Sequence, residues 1–276
     1  MAKRSDNKLN RLQQLPEGLL VDAAWLERHG YSSSLRSQYV SAGWLHSVAP
    51  RVYRRSDGPL EWQHVVTSLQ AFLDCPQTVG GRTALEEQGY AHYLNTKTKE
   101  VHLYGPTKPP TWLATLPIDV KFVWHSSRKL FPDDPSIVPV ETEFPPVAGD
   151  SILPGNFLLM SGGRMSWGLR LSSPERAFLE LLDELPDRES FHQVDVLMGG
   201  LANLSPRRLQ TLLESCRSVK VKRLFFYFAD RHGHAWLSKL DKNAVDLGAG
   251  KRSLVAGGRL DPHYNITVPK DLDAVS

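Results

Sequence analysis

Several groups of side chains in this chain have types and spacings that chemistry could use. Ile118 to Trp124 alternates like a strand, which sets Asp119 and Lys121 together on the face opposite Val120 and Phe122. A carboxylate and a lysine two apart, with a further acid upstream, can hold Mg²⁺ and position water for phosphodiester attack. No upstream acid is fixed in place here. Gly248-Ala249-Gly250-Lys251-Arg252-Ser253 looks like the end of a phosphate-binding loop. That loop needs glycine where Val245 stands and Ser or Thr where Arg252 stands, so the segment reads as a glycine turn before a strand. Asp230, His232 and His234 could be imagined as metal ligands, yet no helical His-x-x-x-His and no nearby cysteine supports them. Cys75 and Cys216 are the only cysteines and lie far apart, so they make neither a disulfide framework nor a zinc site. No catalytic residue, metal or cofactor is expected, and the protein reads as a non-enzyme. Another cluster is basic: Arg207, Arg208, Arg217, Lys220, Lys222 and Arg223 precede the apolar run Leu224–Ala229. Arg207, Arg208, Lys220, Lys222 and Arg223 are the candidates for a partner-binding surface; the alternative is a solvated helix face beside acids such as Glu214.

The most complete arrangement lies between Leu19 and Arg55. Ser33, Ser34, Arg36, Ser37, Gln38 and Ser41 supply short or hydrogen-bonding side chains of the kind that meet base edges and phosphates in a major groove. The elements that must position them are legible. Asp22 is a good N-cap, Ala23 to Leu26 continue as helix, and Gly30 supplies a left-handed stop. Ser32 or Ser33 caps a second helix with Leu35, Tyr39 and Val40 as its buried stripe, and Gly43 ends it. Near alternation follows, Trp44 to Val48, then a turn at Ala49-Pro50 and the basic arm Arg51-Val52-Tyr53-Arg54-Arg55. Helix, turn, helix and basic hairpin together describe a winged helix-turn-helix, with Arg51, Arg54 and Arg55 as the wing's phosphate contacts.

Charge agrees with this placement. Up to Gly58 there are nine Lys and Arg against five Asp and Glu, and beyond it 24 against 25. The excess behind the net charge of +3 therefore sits on the winged-helix segment, which favours a polyanionic partner. The chain's 276 residues, 41% hydrophobic and 23% charged, are ordinary for about two globular domains. No targeting signal and no apolar run long enough to span a bilayer is evident, and the two isolated cysteines suit a reducing cytoplasm.

Asp57-Gly58-Pro59 is the expected boundary between residues 1–58 and a larger domain, 59–276. The second domain reads as mixed. It has an amphipathic helix from Trp62 to Leu73, a short helix from Arg82 to Gln88, and strands at Lys99–Gly105 and Ile118–Trp124. A proline-rich connector runs from Ser126 to Gly155. Helices then open at Ser172-Ser173-Pro174-Glu175, Phe191 and Ser205-Pro206, and Val219–Arg231 reads as a buried helix. Strand-like patches close the chain at Ser253–Val255 and Tyr264–Val268. The fold class expected is α+β, an N-terminal winged helix-turn-helix followed by a larger mixed α/β domain.

This arrangement resembles the AbiEi family, the antitoxins of abortive-infection, type IV toxin–antitoxin systems. The resemblance rests on Gly43-Trp44-Leu45 and Arg51-Val52-Tyr53 closing the winged helix, on Gly81-Arg82-Thr83-Ala84-Leu85-Glu86-Glu87-Gln88-Gly89-Tyr90-Ala91-His92-Tyr93-Leu94, and on Ser172-Ser173-Pro174-Glu175-Arg176-Ala177 opening a helix. It implies a cytoplasmic antitoxin whose winged helix binds inverted repeats of double-stranded DNA in its own promoter and represses the operon. Its C-terminal domain would neutralise, directly or indirectly, a toxin resembling a nucleotidyltransferase. The family's DNA-reading helix corresponds to Ser33–Ala42 and its wing to Trp44–Arg55. The rival expectation is a DNA-binding regulator whose C-terminal domain senses a ligand or resembles a nuclease.

Overall fold

A computed structural model describes residues 2–55, 57–90, 98–132, 151–153, 155–160 and 168–272. Much of the proline-rich connector and the Ala91–Leu94 end of the resembling segment lie outside these residues.

The N-terminal part runs α1 (Ala2–Gln13), β1 (Leu20–Asp22), α2 (Ala23–Arg28), α3 (Ser33–Ser41), β2 (His46–Ala49) and β3 (Val52–Arg54). The predicted signals form as read. Asp22 Oδ1 accepts from the Trp25 N–H at 2.8 Å, and Ser32 Oγ accepts from the Leu35 N–H at 3.3 Å. Gly30 and Gly43 close their helices at φ 82° and 74°, a region that a Cβ penalises. β1 was not expected. It pairs antiparallel with β3, Leu20 opposite Arg54 and Asp22 opposite Val52, and gives a sheet of order β1-β3-β2.

β1 explains how this unit is held. Neighbouring strand residues point to opposite faces, and Val21 packs with Leu12, Leu26, Tyr31, Tyr39 and Leu45 while Leu20 joins Val52 and Ala49 in the large core. The small sheet is thus buried on both sides. Its far side meets α4 (Trp62–Ala71), where Ser68 Oγ accepts the Leu20 N–H at 2.7 Å. The apolar core continues across the Asp57–Pro59 turn.

Beyond α4, a six-stranded mixed sheet has the order β6-β5-β4-β9-β8-β7. Its strands are β4 (Thr78–Val79), β5 (Glu100–Gly105), β6 (Lys121–Ser126), β7 (Ser151–Leu153), β8 (Phe157–Met160) and β9 (Leu169–Ser172). β5 runs parallel to β6, and β4 parallel to β9. Helices α5 (Gly81–Glu87), α6 (Pro174–Asp183), α7 (Phe191–Gly200), α8 (Pro206–Ser215) and α9 (Val219–His232) complete the core. α6 is buried along its length from Glu175 to Asp183 and packs against α5, α8, α9 and β9. Its N-cap is Ser173, one residue later than a capping box would require. Glu175 is thereby released to accept from the Ser205 N–H at 2.8 Å and to pair with Arg208, tying α6 to the start of α8. Helix α9 is buried from Val221 to Ala229. Near the end, β10 (Arg259–Asp261) pairs with β11 (Ile266–Val268). Ser253–Val255 is not a strand, because the Leu254 and Val255 N–H groups donate to Thr267 Oγ1 at 2.7 and 2.9 Å.

Candidate nucleic-acid interface

Helix α3 is anchored by two buried side chains one turn apart, Arg36 and Tyr39. The opposite face carries Ser33, Ser34, Ser37, Gln38 and Ser41, all exposed. Val40, read as part of the buried stripe, is 36% exposed, and Trp44 just beyond the helix is 44% exposed. Arg36 corrects the sequence reading most clearly. Its Nη1 donates to the Tyr31 carbonyl and its Nη2 to Glu27, both at 2.8 Å, so the guanidinium braces α2 against α3 and is not part of the exposed polar face. A buried guanidinium needs such partners, since its desolvation is otherwise uncompensated.

The wing needs a similar correction. Arg54 is buried and donates to the Gly58 and Pro59 carbonyls. Arg55 donates to the Gln13 and Leu15 carbonyls and approaches Glu17 at 3.9 Å. Both therefore secure the unit to its own neighbours. Arg51 is exposed at the tip. Proline fixes φ near −65° at position 50, and Arg51 takes φ 65°, the dihedral signs of a type II turn made without glycine. The candidate interface is thus a short polar helix face beside a turn that carries the exposed Arg51.

The predicted partner surface does not form. Lys222 and Arg223 are buried. Arg223 donates to the carbonyls of Leu247, Gly248 and Gly250 at 2.7, 3.0 and 2.6 Å. The glycine turn at Gly248–Gly250 therefore turns carbonyl oxygens inward around a cation, the reverse polarity of a phosphate cradle. Lys220 donates to the Asp183 and Leu185 carbonyls at 2.5 and 2.9 Å, and Arg208 faces Glu175 at 3.3 Å. Arg207 remains exposed. Arg208, Lys220 and Arg223 thus serve the packing of α6, α8 and α9, whose last helix is buried from Val221 to Ala229.

Asp119 precedes β6 and so does not share a strand face with Lys121, which pairs with Glu100 at 3.1 Å. His232 is bound to Asp195 at 2.9 Å and His234 to the Met198 carbonyl at 2.7 Å. Among the described residues no group of three or more His, Cys, Asp or Glu is placed to hold a metal ion.

A polar cluster that the sequence did not reveal lies at the β5–β6 edge. His102 Nδ1 is 3.0 Å from His125 Nε2, whose Nδ1 is 3.0 Å from Glu184; the Tyr104 ring stacks on His125 with centroids 4.6 Å apart. A cleft of about 290 Å³ opens beside it, lined also by Lys129, Asp187 and Arg188. Burial, and then the neighbouring His125 imidazole, push His102 down to about 4. Burial pushes Glu184 up, but the hydrogen bond and charge of His125 bring it below its ordinary value. A histidine held below its ordinary 6.5 contributes stability that is full above that pH and lost as pH falls toward 4. About 3 kcal/mol is expected to disappear over this window, with the Glu184 contribution following below its ordinary 4.5. Urea unfolding at neutral and mildly acidic pH checks this, since His102→Asn should flatten the upper part of the slope.

Among the described residues no helix is long and apolar enough to cross a membrane. Two family models match the chain: the AbiEi antitoxin N-terminal domain of a transcriptional regulator over residues 5–96, and the AbiEi antitoxin transcriptional regulator of type IV toxin–antitoxin systems over residues 159–269. No curated protein matches. The crystal structure of the RV2827C protein from Mycobacterium tuberculosis matches with a TM-score of 0.52 at 14% identity, over 95% of this chain and 90% of that one, which shows a shared fold. With a winged helix in front and a mixed α+β domain behind, both in the order these matches require, the chain belongs to the AbiEi family of antitoxins, transcriptional regulators of type IV toxin–antitoxin systems.

Proposed function

We propose that this chain is a cytoplasmic antitoxin that binds inverted repeats in its own promoter and represses its operon. The mixed domain opposes a nucleotidyltransferase-like toxin, and the chain itself performs no catalysis. The observation that carries the DNA half is the exposed polar face of α3 beside Arg51 at the wing tip. Ser33, Ser34, Ser37, Gln38 and Ser41 supply donors and acceptors for base edges and phosphates. The rival nuclease reading loses its support, because Asp119 and Lys121 do not share a strand face. Family membership supports the toxin half.

A mobility-shift titration against the protein's own upstream DNA tests the first half. Arg51→Gly keeps the left-handed turn, which glycine tolerates, while removing the cation. It is expected to weaken binding to all sequences and to lower the slope of log K against log salt by about 0.9, one phosphate contact. An unchanged slope would remove the wing tip from the interface. Co-expression with the neighbouring toxin tests the second half: cells should grow with the full chain present, and continued arrest would overturn antitoxicity.

A further inference from the structure

A cleft of about 480 Å³ lies between the end of α1, helix α2 with the turn after it, and the end of α4. Its volume falls within the range of about 300–1,000 Å³ that small-molecule sites occupy. Aromatic side chains from separate elements meet there. The His29 imidazole lies on the Trp25 indole with centroids 3.8 Å apart and planes at 21°, and Phe72 meets the indole edge-on at 5.9 Å. Tyr31 forms a further wall, its hydroxyl donating to the Lys8 carbonyl at 2.9 Å. His29 Nδ1 is 2.8 Å from the Trp25 carbonyl, which can only accept, so Nδ1 carries the proton. That bond fixes the ring against the indole and leaves Nε2 as its second polar atom.

Two guanidinium groups, those of Arg11 and Arg28, line the same cleft. Arg11 is exposed, and its charge acts on the Tyr31 hydroxyl. Arg28 lines the same cleft and is met by Asp74 at 2.6 Å, with both side chains more than half exposed. An ion pair so exposed is weakly held, and an incoming anion can take the place of Asp74. The charge not balanced within the cleft is positive.

We propose that this cleft binds a small planar aromatic anion, a ring bearing a phosphate or a carboxylate. The ring packs among Trp25, His29 and Phe72 as aromatic side chains receive flat ligands, and the anion is taken by Arg11 and Arg28. Because Trp25 belongs to α2 and Phe72 to the end of α4, the ligand touches both the helix-turn-helix and the first helix of the larger domain.

Calorimetric titration of the full chain with adenosine 5′-monophosphate and with indole-3-acetate tests this and separates a phosphate from a carboxylate source. At least one is expected to bind with a Kd below about 1 mM. Adenosine and ribose 5-phosphate, which lack the anion and the ring respectively, should bind at least tenfold more weakly. Arg11→Gln, at an exposed position, should weaken the bound anion at least tenfold, and Trp25→Leu should do the same. Absence of saturable heat from both anions at millimolar concentration, or affinity unchanged in Arg11→Gln, overturns the proposal. No DNA is present in the titration, so its result is independent of promoter binding.

Discussion

Glu180→Ala is expected to destabilise the protein by about 3–5 kcal/mol, the cost of leaving a buried charge without its partner. Arg176 and Glu180 lie one turn apart on α6, with side chains 2% and 1% exposed, and Nε reaches Oε1 at 2.9 Å. Burial pushes the Glu180 carboxyl up against the opposing Arg176 charge and the donors Gly81 N–H and Ser172 Oγ, at 3.0 and 3.1 Å. The Arg176 guanidinium lies 4.5 Å from the Phe131 ring centre and 4.3 Å from that of Phe157. Without Glu180 it keeps the Gly155 carbonyl at 3.0 Å, the Ser173-capped helix around it and two aromatic faces, which do not replace a carboxylate. Urea unfolding measures the loss. The double variant Arg176→Met/Glu180→Leu should recover most of it, because an apolar pair of similar volume carries no desolvation cost. A single-variant loss below about 1 kcal/mol would show that the pair is not the tie between α6, β9 and α5.

The second large effect is on DNA. Ser34 and Gln38 are four apart on the exposed face of α3, so Ser34→Glu/Gln38→Glu places two carboxylates where phosphates would approach. Affinity for the upstream DNA is expected to fall at least about 100-fold, equivalent to about 3 kcal/mol. Stability should stay within about 0.5 kcal/mol of the parent, since both positions are exposed. Fluorescence anisotropy and a thermal melt on the same samples separate loss of contact from loss of fold.

Local signals in the sequence were reliable where the cause of structure is itself local. Asp22, Ser32, Gly30 and Gly43 specify caps and left-handed stops within a few residues, and α2 and α3 form between them. The direction of a cation is not local. Arg36 and Arg54 read as surface charges until Glu27, the Tyr31 carbonyl and the Gly58 and Pro59 carbonyls come together around them. The same holds for Arg223, whose partners lie 24 or more residues away. β1 is three residues long and buried on both faces, so it shows no alternation to read. The His102–His125–Glu184 chain depends on the parallel register that sets Tyr104 opposite His125, and each histidine alone looks like an ordinary strand residue.

With Arg36, Arg54 and Arg55 turned to partners within the chain, the proposed DNA interface holds fewer cations than the composition suggests, and its proposed discrimination rests on neutral side chains. The direct measurement is the ratio of affinities for the protein's own upstream duplex and a scrambled duplex of equal length and salt, for the parent and for Ser34→Ala/Gln38→Ala. The parent is expected to prefer its own DNA by about 10³-fold or more, and the double alanine variant to lose at least about tenfold of that preference while binding the scrambled duplex as before. Equal affinity of the parent for both duplexes, or a preference untouched by the two substitutions, would contradict the assignment of α3 as the reading helix.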